Sequence, residues 1–403
     1  MKIVGIDVSA DRIDVVVLDK IPDFALRDFY KSAEFKSCHF VFKTDEIGKL
    51  IETIGSDCVV VLEATGTYSY FWKEQFSKQS IPVLVADQGM VKSTRKSLGG
   101  TDNKDDAFDA LVMISLYQRH YVEIFDRRFW VADRPAEIKQ IKRLLLDLKT
   151  TVQKQTAFIN TTKSRLAFEY PAKAKISSKR PNGNLDPSAP PPFWAWLAGK
   201  TEAICSRWLT RFNTSYKLNP GSGISDLTRQ FAAQICDLHA IEASLEIKLA
   251  KALECELFGK YHQVFDLFRF GLRERGWILS RIFPFDSFLH LPKKTALRRF
   301  RQACGLGKIE KSSGQVAAGK GGSRWTGCSN TRSILWTYVH NRIEPENISR
   351  SSVQSELREF YVQRKFNANG TKKRGRQLAD ARNATCRKLA DSLFREIYRA
   401  FKT

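Results

Sequence analysis

The chain has 403 residues, of which 43% are hydrophobic, so it can build two or three domains with real cores and is not wholesale disordered. Its 66 Lys and Arg against 43 Asp and Glu leave a formal net charge of +23, an excess that favours a polyanionic partner because each neutralised phosphate releases condensed counterions. No run of about 18 apolar residues suggests a membrane span. The opening MKIVGIDVSA lacks the charged and apolar regions of a secretory signal. The eight cysteines, Cys38, Cys58, Cys205, Cys236, Cys255, Cys304, Cys328 and Cys386, form no CxxC pair. That argues against a zinc ribbon or disulfide framework and predicts a cytoplasmic chain with reduced thiols.

Residues 2–9, 12–19 and 37–43 read as strands rich in Val, Ile and Phe (KIVGIDV, RIDVVVLD, CHFVFKT). The short Ser9-Ala10-Asp11 turn makes the first two antiparallel neighbours. A polar helix over 44–54 precedes DCVVVLEAT at 57–65, a near-continuous apolar run typical of a strand buried on both faces. A helix at 68–79, a strand at 81–86 (IPVLVA) and helices at 88–97 and 105–118 follow. Three meandering strands, then alternating helix and strand, is the order of a ribonuclease H-like α/β domain, here over 1–130.

The segment 131–270 reads as a helical coiled-coil arm. From Pro135, the apolar positions Ile138, Ile141, Leu145, Leu148, Val152, Ile159 and Leu166 recur at roughly heptad spacing, which suits an antiparallel coiled coil or a dimer contact. A basic, Pro- and Ser-rich insert at 171–200 (PAKAKISSKRPNGNLDPSAPPP) reads as a flexible loop near phosphate backbones or a disordered linker. A second long helix over 225–265, with Leu227, Phe231, Ile235, Leu238, Leu245 and Leu249 on one face, is placed to return along the first. The remainder, 271–403, is a mostly α-helical unit. In it a basic helix (KKTALRRFRQACGL) ends at Gly305, and a Gly- and Ser-rich loop occupies 311–327. Helices over 330–362 and 377–401 flank the basic loop KFNANGTKKRGR.

Phosphodiester chemistry with two metal ions needs carboxylates that converge on one point. Mg²⁺ takes oxygen ligands, so Asp and Glu are the residue types to seek. Asp7 follows the apolar VGI of the first strand and Glu63 ends the buried strand VVVL, and these strands are neighbours in a ribonuclease H-like sheet. TDNKDDAFDALV adds further acids. Asp106 and Asp109 are i,i+3 on a helix and share a face, but spacing leaves Asp102 with Asp105, or Asp102 with Asp106, equally open. A solvated, dipole-favoured helix start is the plain alternative.

GIDVSADRIDVVVLD, LEATGTY and NKDDAFDA resemble the N-terminal domain of the RuvC-like DEDD transposases of the insertion-sequence family one-hundred-ten, which includes Piv-type invertases and bridge-RNA-guided recombinases. The family's Asp-x-x-Asp-Ala matches Asp106-Ala107-Phe108-Asp109-Ala110, so the resemblance implies Asp7, Glu63, Asp106 and Asp109 as the catalytic, Mg²⁺-binding acids. FRQACGL, KSSG and TGCSNTRSIL look like the second family domain, whose reactive serine falls on Ser313 before Gly314, with Ser312 adjacent. The chain departs from the pattern in FRFGLRERGWILSRIFPF, where most expected glycines are missing, and at Trp325, where a basic residue is usual.

The resemblance implies a DNA transposase or recombinase in which Ser313 attacks a phosphodiester to form a protein–DNA ester. Donor and target DNA would be chosen by a noncoding guide RNA, and the serine would join the acids of another protomer in a dimer or tetramer. Lys92, Arg95 and Lys96, with Lys372, Lys373, Arg374 and Arg376, are candidate phosphate contacts. Tyr68 and Trp325 are candidates for stacking on bases, with core packing as the plainer role. The competing readings are a hydrolytic ribonuclease H-like nuclease or junction resolvase, an inactive nucleic-acid-binding relative, and an actin-like sugar kinase. The kinase would need Gly-rich phosphate loops after Glu63 that the chain lacks.

Overall fold

Side chains on a strand point alternately to opposite faces, so the consecutive apolar residues within KIVGIDV and CVVVLE require cover on both sides. A computed structural model describes residues 1–20, 25–64, 66, 68–98, 105–131, 133–181, 185–310, 323–367 and 369–402. It divides into two compact units, Met1–Asp133 and Arg134–Thr403.

The first unit is mixed α/β. Strands β1 (Lys2–Val8), β2 (Arg12–Leu18), β3 (His39–Lys43), β4 (Cys58–Glu63) and β5 (Val83–Ala86) form one sheet in the order β3-β2-β1-β4-β5. Strand β2 is antiparallel to β1 and β3, whereas β4 is parallel to β1 and β5. Its helices are α1 (Leu26–Tyr30), α2 (Ala33–Cys38), α3 (Ile47–Ile54), α4 (Tyr68–Lys78), α5 (Gln88–Ser97) and α6 (Asp106–Tyr117). On one face of the sheet, Val4, Ile6, Val15, Val60 and Leu62 pack against Leu50 and Ile54 of α3 and Trp72 and Phe76 of α4. On the other, Ile3, Val16, Val59 and Val61 pack against Ala110, Leu111 and Ile114 of α6. Sequence reading passed over α1 and α2, which span five and six residues, too few for a helical period to show. Their Phe29 and Phe35 complete the core beneath α6.

Helix α6 sits so close to β1 that a Cβ on Gly5 would lie 2.0 Å from the Ala110 carbonyl oxygen and 2.9 Å from Ile114 Cγ1. Only glycine fits there.

The second unit is built on α7 (Ala136–Glu169), α8 (Pro192–Leu197), α9 (Ser206–Leu218), α10 (Asp226–Leu253), α11 (Gly259–Leu267), α12 (Leu272–Ile282), α13 (Asp286–Leu289) and α14 (Lys293–Ala303). A hairpin of β6 (Gly307–Glu310) and β7 (Ser323–Thr326) follows, then α15 (Ser329–Tyr338), α16 (Ser352–Lys365) and α17 (Gly375–Lys402). Among the described residues, no helix is long and apolar enough to cross a membrane. Helix α14 ends at Gly305, whose φ of +77° suits glycine.

Helices α7 and α10 run antiparallel, since Gln155 bonds Glu242 while the later Arg165 bonds the earlier Thr228 and Ser225. At the root, Ile138, Ile141, Leu145 and Leu148 are buried as the heptad reading predicts. Farther out the seam turns polar at Thr151, Gln155 and Thr162, which are buried where Val152 and Ile159 were expected, before Leu166 is buried as the spacing predicts. On α10, Ile235 and Leu249 are buried as the sequence predicts, but Leu227 faces out at 44% exposure, and Thr228, Ala232, Cys236 and His239 are buried beside that line. The Arg165 guanidinium draws Thr228 inward, and Ala232 offers little bulk to the facing helix.

The described residues of the 171–200 insert are packed into the arm rather than forming a flexible loop or linker. Phe193, Trp194, Ala195, Trp196 and Leu197 are all buried, in a core shared with Leu166, Tyr170, Phe212 and Ile235. Pro192 starts that short helix at its first turn, and Arg180 ties the insert to Glu246 of α10 at 2.7 Å. Composition hid this because the apolar residues are concentrated in FWAWL, after the Pro- and Ser-rich stretch. The root of the arm shares one core with the C-terminal helices, from Leu145, Leu148 and Leu249 through Phe265 and Phe300 to Leu389 and Ile397.

Gly5→Val is expected to force α6 off the sheet and to cost about 1–3 kcal/mol or more, seen as a lowered denaturant midpoint. An unchanged midpoint would refute the close contact. The buried Glu242 carboxyl gives a pH prediction. Burial pushes it up, but hydrogen bonds from His239, Arg273 and Gln155 outweigh that and hold it down at about 2, against an ordinary 4.5. A depressed carboxyl stabilises the fold above its ordinary range and loses that contribution as pH falls through the folded value. Thermal melts between pH 5 and pH 2 should therefore decline more steeply for the native chain than for Glu242→Gln.

Candidate metal centre

Ile3, Gly5 and Asp7 alternate along β1 and so face the same side of the sheet, the side that α6 covers. In the parallel pairing, Ile6 lies beside Leu62, which puts Asp7 beside Glu63 at the ends of two adjacent strands. From above, α6 brings down Asp109, the residue before the Ala110 that touches Gly5. Asp7 and Asp109 are each 1% exposed and Glu63 is 7% exposed, and one carboxylate oxygen from each lies within 4.8 Å of the others.

The neighbouring acids do other work. Asp105 is the N-cap of α6, accepting from the Phe108 amide at 3.1 Å and from the Tyr30 hydroxyl at 2.5 Å. Burial, and then this bond to Asp105, push the Tyr30 phenol up to about 12. Asp106 is half-buried, one turn before Asp109, with its Oδ2 3.5 Å from Ser9 Oγ, and is not in the group of three carboxylates. Asp102, Ser312 and Ser313 lie outside the described residues.

Two neighbours of the site escaped the sequence reading. Arg95, expected as a phosphate contact, is buried instead, and its Nη1 donates to Asp109 Oδ2 at 2.6 Å. The i,i+4 pair Val91 and Arg95 forms the inward face of α5, while Lys92 and Lys96 stay exposed. Asp14 stands directly opposite Asp7 in the antiparallel register and is held by His39 Nε2 at 2.9 Å. Its alternation with Val16 on the inner face of β2 was the available signal. Of the other candidates, Lys372, Arg374 and Arg376 are exposed and Lys373 is partly so. Tyr68 is exposed at the start of α4, and Trp325 is half-buried on β7.

Burying carboxylates together is costly unless positive charge accompanies them. The Arg95 guanidinium supplies one positive charge beside Asp109, and a bound cation would supply more. The donor set is oxygen only, which suits a hard ion. Asp7, Glu63 and Asp109 could therefore hold a metal ion. No protein-family model matches the chain, and no curated protein matches it.

Adding Mn²⁺ should raise the unfolding temperature of the native protein, with stabilisation of about 2.7 kcal/mol at a concentration ~100 times Kd. Asp7→Asn, Glu63→Gln and Asp109→Asn should each abolish the shift. Equal shifts in all four proteins would place the ion elsewhere.

Proposed function

We propose that this chain is a DNA transposase or recombinase that cuts and rejoins strands by transesterification, with a ribonuclease H-like domain carrying its acids. The observation that carries the reading is the convergence of Asp7, Glu63 and Asp109 on one face of the sheet. The strand order β3-β2-β1-β4-β5, with β2 the antiparallel member, supports the ribonuclease H-like assignment.

In this reading Asp7, Glu63 and Asp109 hold Mg²⁺, with Asp106 available from the next turn of α6. The bound ion supplies Lewis acidity toward a phosphodiester and its attacking oxygen. Arg95 fixes the Asp109 carboxylate by its 2.6 Å bond and so sets one donor's position. The Ser313 hydroxyl gives up its proton as its oxygen bonds to phosphorus. One backbone P–O bond breaks, and the departing DNA oxygen takes a proton. Reversal of the same step on a new end rejoins DNA with no external energy source. A noncoding guide RNA would select the donor and target sequences, in keeping with the net charge of +23. The exposed Lys92, Lys96, Lys372, Arg374 and Arg376 are available to phosphates. The working form would be a homo-oligomer.

One observation favours a second reading, a hydrolytic nuclease. The three-carboxylate group lies wholly within the Met1–Asp133 unit, so water could serve as nucleophile without Ser313.

A trapping assay separates the two. Protein, Mg²⁺, labelled donor and target DNA, and RNA transcribed from the gene's flanks are mixed, denatured and resolved on a gel. A protein-linked DNA band lost in Ser313→Ala and Asp7→Asn is the expected result. Cut DNA without linked protein, unchanged in Ser313→Ala, would establish the nuclease.

A further inference from the structure

The C-terminal unit holds a polar cavity, in a different unit from the acids. It measures about 220 Å³ and is lined by Trp325, Arg332, Ser333, Trp336, Thr337 and Asn383. Trp325 comes from β7 and Asn383 from α17, and the other four form one face of α15.

The charge around it is unbalanced. Three cations crowd the Trp325 indole: Arg387 Cζ at 5.0 Å, Lys308 Nζ at 5.1 Å and Arg332 Cζ at 6.0 Å from its centroid. None of the three forms a salt bridge among the described residues. Arg332 donates one N–H to the Gly305 carbonyl at 3.0 Å. Arg387 Nε is buried with no acceptor among the described residues, a costly state for a donor unless a ligand completes it. Burial, and then the nearby Arg301, lower the Arg387 guanidinium's hold on its proton. The second indole, Trp336, stacks on His340 at 5.5 Å and lies under Arg382 at 5.2 Å. Arg382 differs from the three because it is matched by Glu344 at 2.8 Å.

A ligand for this place must offer a flat aromatic body to the indoles, hydrogen-bonding edges to Asn383, Ser333 and Thr337, and negative charge to Arg387, Arg332 and Lys308. A nucleotide whose base is unstacked combines all three. Duplex DNA keeps its bases stacked, so it presents phosphates and base edges but no flat base face to the indoles. The cavity is also smaller than the ~300 Å³ at which sites for drug-sized ligands begin, which suits a single base. We propose that this cavity binds one nucleotide of a single-stranded nucleic acid, with the base against Trp325 and Trp336 and the phosphate on Arg387, Arg332 and Lys308. The proposal rests on the nucleic-acid reading above and adds the site and the strandedness of the ligand. RNA and DNA single strands share this chemistry, so the test separates them.

Full-length protein is irradiated with short single strands of RNA carrying 5-iodouridine or of DNA carrying 5-iododeoxyuridine. The linked residue is then mapped by mass spectrometry, and Kd is measured by fluorescence anisotropy. Crosslinks at Trp325 or Trp336 are expected, and the strand that gives them names the source. Trp325→Ala should weaken single-strand binding by about 5- to 150-fold. Because both indoles also pack on the core, Arg387→Gln is the companion variant, and it should weaken binding and lower the salt slope by about 1. Tight binding with crosslinks only elsewhere, and with Arg387→Gln unchanged, would overturn this site and leave the nucleic-acid reading standing. No binding to single strands or duplex would overturn both.

Discussion

The contact between Gly5 and the Ala110 carbonyl is the constraint on which the first unit turns. A side chain of any size on β1 at that point would hold α6 away from the sheet. With α6 seated, Ala110, Leu111 and Ile114 seal the core over Val16, Val59 and Val61, and Asp109 is lowered onto the strand ends that carry Asp7 and Glu63. The inward edge of α5 then brings Arg95 to Asp109. Core packing and the acid cluster are therefore one arrangement, since moving the helix would change both.

Buried charge organises both units, in different ways. In the arm, Glu242 and Glu246 are matched by Arg273 and Arg180, with Gln155 completing the set. Near the C-terminus, Glu344 is gripped by Arg382, His340 and Tyr361. These are networks in which acid meets base, and they fix register and packing. At the ends of β1 and β4, three carboxylates gather within 4.8 Å of one another, and that excess of acid suits a cation. The cavity beside Trp325 shows the opposite imbalance, with three cations that make no salt bridge among the described residues, the nearby Asp391 being paired with Arg301. An excess of acid at one place and of base at another is the charge distribution that the proposed metal and nucleic-acid sites would need.

The arm shows how a local pattern can be right about an element and wrong about its face. Heptad spacing located α7 and its apolar root, where Ile138, Ile141, Leu145 and Leu148 are buried. It failed in the stretch between, before Leu166 is buried again, because the partner helix offers Thr228, His239 and Glu242, and these select Thr162 and Gln155 rather than Val152 and Ile159. Leu227 was misread for the same reason, since the inward side of α10 is decided by what faces it. The insert was misread from its average composition, although five consecutive buried residues at 193–197 anchor it.

The family resemblance chose Asp109 among the acids at 102–109, whereas the sequence pattern by itself determined the strands, helix α7 and the positions of Asp7 and Glu63. These follow from periodicity and from acids at the ends of apolar runs, signals carried by a few adjacent residues. Tertiary structure alone decided which acids meet. Asp106 and Asp109 share a helical face, yet only Asp109 falls in the group of three carboxylates, while Asp105 is spent on capping α6 and Asp14 on His39. It also turned Arg95 from an apparent surface charge into a partner of Asp109, and it joined Trp325, Trp336 and Asn383 around one cavity. Those outcomes depend on the distance and rotation between elements far apart in the chain, which packing sets and no local pattern encodes.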